Sequence, residues 1–166
     1  MNSFCEPLKE AERYDFAKDE WVSVDSLKSK RGDKAITRLN CKILAIGGES
    51  KHAGKCKNET VSKENETIPV NDVESYNPSD KDPEWRIETN LPNHHFRFAA
   101  AAVEKTDSVY VFGGQEAYSD GCKCYKNSNR IYALRDITNT CNLSSIVHFT
   151  TSFGFFLFTL SLMATL

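Results

Sequence analysis

Four anchors recur in the same order along this chain of 166 residues. Tyr14, Trp21, Arg31 and the strand Ile43-Leu44-Ala45-Ile46 closed by Gly47-Gly48 return as Tyr76, Trp85, Arg97 and Val109-Tyr110-Val111-Phe112 closed by Gly113-Gly114. Arg and the first Gly are 16 residues apart both times, and Tyr, Trp and Gly repeat after 62, 64 and 66 residues. A third copy begins at Arg130-Ile131-Tyr132-Ala133-Leu134. A period of this size is one supersecondary unit, which buries its apolar face only by stacking on the next copy. The chain is therefore held to a repeat architecture, and repetition of the anchors marks them as structural.

Between the anchors the pattern is short strands. Lys34 to Thr37 and Ile43 to Ile46 flank Leu39-Asn40-Cys41-Lys42, a hairpin turn in which Asn tolerates positive φ, and Phe98 to Val103 and Ser108 to Phe112 flank Glu104 to Asp107 in the same way. No segment of the first 136 residues keeps a 3.6-residue apolar period over three turns, so this part reads as all-β. The run Ala99 to Ala102 has a helical composition, but its place in the repeat makes it a strand packed closely enough that only methyl groups fit. Gly-Gly after a strand permits a turn or a close approach that a Cβ would block.

An arginine, a strand, a hydrophobic strand closed by Gly-Gly, then Val73-Glu74-Ser75-Tyr76-Asn77-Pro78 and a spaced Trp85 resemble Kelch repeats. That resemblance covers residues 12 to 134 and implies a β-propeller of antiparallel four-stranded blades, with strands a to d in each blade. The period exceeds the usual one of about 50 residues because a polar insertion, Glu49 to Asn71, lengthens it, and the third copy has no Trp. The resemblance divides the chain into a lead-in (1–11), Kelch repeats (12–136) and an uncharged hydrophobic tail (137–166). The repeats comprise strands c and d of one blade, a full blade with insertion 49–71, and strands a to c of a third. Nine strands make a little over two blades, whereas a ring needs roughly four to eight. The expectation is a truncated Kelch propeller fragment, with homo-assembly as the route by which an incomplete ring would close.

Charge divides the chain in the same place. The net charge of -2 gives no excess of cations to recruit nucleic acid. All 44 charged residues precede Ile137, and Ile146 to Leu166 contains 13 apolar residues and five of the ten Phe. That tail is long enough to span a membrane as a helix, so a membrane-associated form anchored through residues 146–166 is one expectation; out-of-family peptide is the other. Glu6, Lys9, Glu10, Glu12 and Arg13 interrupt any secretory apolar run, which points to the cytoplasm and to six reduced cysteines.

Strand alternation places the b-to-c and d-to-a connections at one end of the blades. The candidate binding residues on that end are Lys51, His52, Lys55, His94, His95, Phe96, Glu116 and Tyr118, with the charged insertion read as disordered polar chain and the His94-His95 pair as a solvated turn. The structural anchors are Tyr14, Trp21, Arg31, Gly47, Gly48, Tyr76, Trp85, Arg97, Gly113, Gly114 and Tyr132. His52, Cys56, Cys122 and Cys124 are four soft ligands on two neighbouring loops, a zinc set in principle, but C-x-C is not the usual C-x2-C and unpaired loop thiols are the plainer reading. No catalytic motif or cofactor-binding fingerprint is present. The resemblance implies a non-enzymatic module that binds a protein partner through its loops, with no cofactor and no metal. Alternatives are a tail-anchored Kelch adaptor and the remnant of a galactose-oxidase-like propeller.

Overall fold

The computed structural model describes residues 6–51, 66–135 and 137. Thirteen strands and one 3-10 turn, Glu104–Thr106, make up the regular structure of those residues. A two-stranded sheet pairs β1 (Ala11–Asp15) with β2 (Glu20–Val24). A four-stranded antiparallel sheet follows, in the order β3 (Ala35–Leu39), β4 (Lys42–Ile46), β7 (Asp72–Tyr76), β8 (Arg86–Asn90). The third sheet has the order β13 (Ile131–Leu134), β10 (Ser108–Phe112), β9 (Ala99–Val103). This is the strand order of a propeller blade, met once complete and twice in part, in an all-β arrangement.

The strands follow from residue type and from the glycines. In β4, Leu44, Ala45 and Ile46 are all buried, so both faces are covered, as an interior strand between two packed blades requires. Asn40 turns the β3–β4 hairpin at φ 53, and Asp107 does the same at φ 45 after the 3-10 turn. The second glycine of each pair is needed for close approach. A Cβ on Gly48 would lie 2.4 Å from the Gly32 carbonyl oxygen, and one on Gly114 would lie 2.7 Å from Phe98 Cβ. In both blades this contact lets the d-to-a segment bond the chain leaving strand b: Gly32 and Glu49 exchange N–H to O=C bonds at 2.8 and 2.9 Å, and Phe96 and Gln115 at 3.1 and 2.9 Å.

Two cores separate the blades. Leu39, Leu44, Ile46, Val73 and Leu91 pack against Val109, Val111 and Leu134 between the second and third sheets. Leu27, Ala45, Tyr76 and Trp85 form the core on the other side, with Val24 of β2 and Ile43 against them. Burying each large aliphatic side chain stabilises the fold by about 1.5–3 kcal/mol. Ala100 and Ala102 pack on the first core, while Ala99 and Ala101 are exposed, so the close methyl packing expected of the alanine run holds for one face only. Ile137 lies in the same core although its place after the last charged residue grouped it with the tail.

Several expectations are corrected. The loops expected to be irregular carry two further ribbons, β5 (Glu49–Lys51) with β6 (Ile68–Pro69) and β11 (Gln115–Ser119) with β12 (Cys124–Asn127), because the exchanged bonds at Glu49 and Gln115 start them in strand geometry. Cys122 and Cys124 are joined by a disulfide rather than left as thiols: the turn brings their Cα atoms to 5.2 Å, within bridging range. Cys41 is disulfide-bonded as well. Among the described residues no helix is long and apolar enough to cross a membrane, and the expected anchor, 146–166, lies outside them.

Candidate functional site

Equivalent positions in the two blades follow from register. Ala35 pairs with Ile46 and Ala99 with Phe112, so position 35 corresponds to 99 and position 46 to 112. Val73 pairs with Ile46 and Ile131 with Phe112, so 73 corresponds to 131. It follows that the partner of Arg31 is His95 and not Arg97, whose true equivalent is Asp33. The β9–β10 turn is two residues longer than the β3–β4 turn, which made the 16-residue spacing coincide by chance. Tyr132 likewise corresponds to Glu74, and the place of Tyr76 is taken by Leu134.

Arg31 is fully buried and saturated. Its Nη2 donates to Asp72 Oδ2 at 2.6 Å and to Glu74 Oε1 at 2.5 Å, while Nη1 donates to the Gly47 and Asp72 carbonyls, each at 2.9 Å. Glu74 also accepts from the Lys28 and Ser29 backbone N–H groups at 2.7 and 3.0 Å. A buried guanidinium is tolerated because every charge is paired and hydrogen-bonded. The sequence signal for this lock was Asp72-x-Glu74, two carboxylates on one face of a strand. In the third sheet all three members change together: Arg31, Asp72 and Glu74 are replaced by His95, Arg130 and Tyr132. Burial lowers the Lys34 ammonium below the ordinary lysine value, and the charge of Arg31 adds to the effect.

Residues of the d-to-a connections and of the two ribbons meet one another. Arg97, at φ 56, donates from Nε to Asp33 Oδ2 at 2.7 Å and from Nη1 to Gln115 Oε1 at 3.1 Å, and lies over the Phe96 ring. Phe96 is buried and meets Tyr125 edge-on, and Tyr125 meets Tyr118. The Thr67 N–H donates to the Tyr125 hydroxyl at 2.6 Å, so one side chain ties the ribbons of adjacent blades together. Sequence reasoning missed Tyr125, Asp33 and Gln115. Of the expected loop residues, Lys51 and His94 are exposed, Glu116 and Tyr118 half-buried, and His52, Lys55 and Cys56 lie outside the described residues. His95 is not a solvated turn residue: it is completely buried.

The other anchors separate by burial. Tyr76 and Trp85 rings sit 5.3 Å apart and Tyr14 and Trp21 rings 5.4 Å apart, the same cross-strand pair. Yet Trp85 is 6% exposed and Trp21 67%. Trp85 has Val24 and Leu27 of the preceding blade over it, whereas among the described residues no blade covers Trp21. Gly47 and Gly113 take φ values of 49 and 63 at the strand exits. No group of three or more His, Cys, Asp or Glu side chains suited to a metal occurs among the described residues.

No family model matches the chain. Curated relatives do. It is 30% identical over 119 residues to Kelch-like protein 23 of Pongo abelii, covering 72% of this chain, and 25% identical over 127 residues to Kelch-like protein 36 of Rattus norvegicus, covering 74%. This is a Kelch-repeat chain. A 41-residue stretch is 44% identical to a Kelch repeat and BTB domain-containing protein of Caenorhabditis elegans. The Kelch-repeat chain spans 18% of the length of each of the first two relatives.

Proposed function

We propose that this Kelch-repeat chain is a non-catalytic protein-recognition module that meets its partner with the blade end built from β5–β6, β11–β12 and the d-to-a connections. The observation that carries the reading is the Tyr125 bond to Thr67, which joins the hairpins of neighbouring blades into one surface. The exposed cations Lys51 and Arg97, the exposed His94 and the half-buried Tyr118 share that surface. Aromatic and arginine side chains held on a rigid frame are the groups that supply most of the energy at protein interfaces. The opposite end presents a two-residue turn and a 3-10 turn joined by Asn40 Nδ2 donating to Asp107 Oδ1 at 2.9 Å, and at the β1–β2 turn the rings of Tyr14, Phe16 and Trp21 in edge contact.

The test is quantitative affinity capture with three versions of the full chain: unaltered, Tyr118→Ala with Arg97→Ala, and Asn40→Ser with Lys105→Ala. Proteins retained by the unaltered chain are expected to be lost with the first pair and kept with the second. Equal retention by all three, or loss with the second pair alone, contradicts this choice of face.

A further inference from the structure

The Cys122–Cys124 bridge encloses a single intervening residue, Lys123, at the tip of the β11–β12 hairpin. Cys124 opens β12 opposite Ser119, and Lys123 takes the left-handed φ of 51 that turns the chain back so soon. Both cysteines and Lys123 are exposed. A Cβ on the neighbouring Gly121 would find the Ser119 hydroxyl, at 3.9 Å, as its nearest heavy atom, so an incoming molecule reaches the sulfurs without displacing packed side chains.

The hairpin does not depend on this bridge. The stabilisation a disulfide gives falls with the length of the loop it closes, and this loop is about as short as a loop can be. Other contacts hold the hairpin at both strands. The Thr67 N–H donates to the Tyr125 hydroxyl at 2.6 Å, and the Tyr118 and Tyr125 rings meet across the ribbon. Gln115 exchanges backbone bonds with Phe96 and accepts from Arg97 Nη1 at 3.1 Å, and the Ser128 N–H donates to the Gly114 carbonyl at 2.9 Å. An exposed bridge that contributes little to stability is the labile kind, open to exchange with other thiols.

We propose that Cys122 and Cys124 form a reversible thiol–disulfide exchange site, which trades two electrons with a small anionic thiol of the glutathione class. In the reducing direction an external thiolate attacks one bridge sulfur. The bond between Cys122 and Cys124 breaks, a mixed disulfide forms, and the other cysteine leaves as a thiolate. A second external thiolate then attacks the external sulfur of the mixed disulfide, which frees the second cysteine and releases the small disulfide. Two external thiols are thereby oxidised, and the two protons they give up pass to Cys122 and Cys124. The reverse sequence closes the bridge.

The turn suits both states. Cys122 Sγ lies 3.7 Å from the Ser119 and from the Cys124 carbonyl oxygen, either of which accepts its proton once the bridge is open. Lys123 and Lys126 against Asp120 leave the segment net positive, which draws in an anionic thiol and favours the thiolate as leaving group. The site is a property of the hairpin and stands whether or not a protein docks on that end of the blades.

The experiment exposes the folded full chain, near neutral pH, to mixtures of reduced and oxidised glutathione. The reaction is quenched by acid, free thiols are alkylated, and the peptide carrying residues 122–124 is read by mass spectrometry, with far-UV circular dichroism in parallel. Two alkyl groups are expected on that peptide as the reduced share rises, and both are lost again when oxidised glutathione is restored. The rate of opening is expected within about tenfold of that in the urea-unfolded chain, as an accessible bridge requires. Cys124→Ser leaves Cys122 carrying one glutathione in the oxidised mixture. The double variant Cys122→Ser with Cys124→Ser keeps the β spectrum of the unaltered chain, which separates this bridge from the one at Cys41. A bridge that opens only in the unfolded chain, a dithiol that oxidised glutathione fails to close, or loss of the β spectrum in the double variant overturns the proposal.

Discussion

Arg97 and Asp33 occupy the same position in successive blades, both with positive φ, and are bonded to each other: Arg97 Nε donates to Asp33 Oδ2 at 2.7 Å and the Arg97 N–H to the Asp33 carbonyl at 3.0 Å. The d-to-a connections of the two blades thus lean on one another side by side. Equivalence between repeats here means adjacency as well as likeness.

That contact contrasts with the arginine actually buried. Arg31→Ala leaves Asp72 and Glu74 without their cation and is expected to destabilise the chain by about 3–5 kcal/mol, whereas Arg97→Ala, at a half-exposed pair, changes stability by about 1 kcal/mol or less. Urea unfolding of the two variants measures the difference. Similar losses would mean that the two arginines are interchangeable anchors after all.

The tryptophans make the same contrast. Trp85→Ala empties the core between Tyr76, Leu27 and Ala45 and is expected to cost about 3–5 kcal/mol. Trp21→Ala, at a side chain 67% exposed, is expected to change stability by about 0.5 kcal/mol. Thermal melts followed by circular dichroism decide it; a larger shift for Trp21 contradicts the burial assigned to the pair.

Gly48→Ala places a Cβ against the Gly32 backbone oxygen at a φ of 101°. Backbone cannot move aside as a side-chain tip can, so the loss is expected to exceed about 2 kcal/mol. Gly121→Ala, where the nearest heavy atom is the Ser119 hydroxyl at 3.9 Å, serves as the control and leaves the unfolding midpoint in place.

Acid sensitivity has a named contributor. The Trp85 N–H donates to Asp25 Oδ2 at 2.9 Å and holds that carboxyl below the usual aspartate range, with Lys28 adding to the effect. A lowered folded value contributes stability above the ordinary aspartate value of about 3.9, and this is lost as pH falls through the folded value. Asp25→Asn is therefore expected to melt lower than the unaltered chain at pH 7 and pH 5, with the gap closing below about pH 4. A gap that persists undiminished at pH 2 refutes the assignment.

Legibility in the sequence tracked the range of the interaction. The Asn40 turn, the strand at Ala99–Val103 and the two glycine pairs were readable because turn chemistry and repeat position fix them within a few residues. The equivalence of Arg31 with Arg97 was misread, since the counted spacing contains a turn whose length differs between blades and only strand pairing reveals the offset. Tyr125 escaped notice because its partner, Thr67, is 58 residues away and belongs to another blade.

The amino-acid order alone therefore determined the repeat, the strands and their blade-like sequence, all set by local periodicity and by backbone freedom at glycine. Which member of each repeated pair is buried was settled only by stacking: Trp85 has a blade before it and Trp21 has none described, Arg31 meets two carboxylates and His95 meets a tyrosine ring and one distant carboxylate. Burial and charge pairing are properties of neighbours brought together from far along the chain, and no local pattern specifies them.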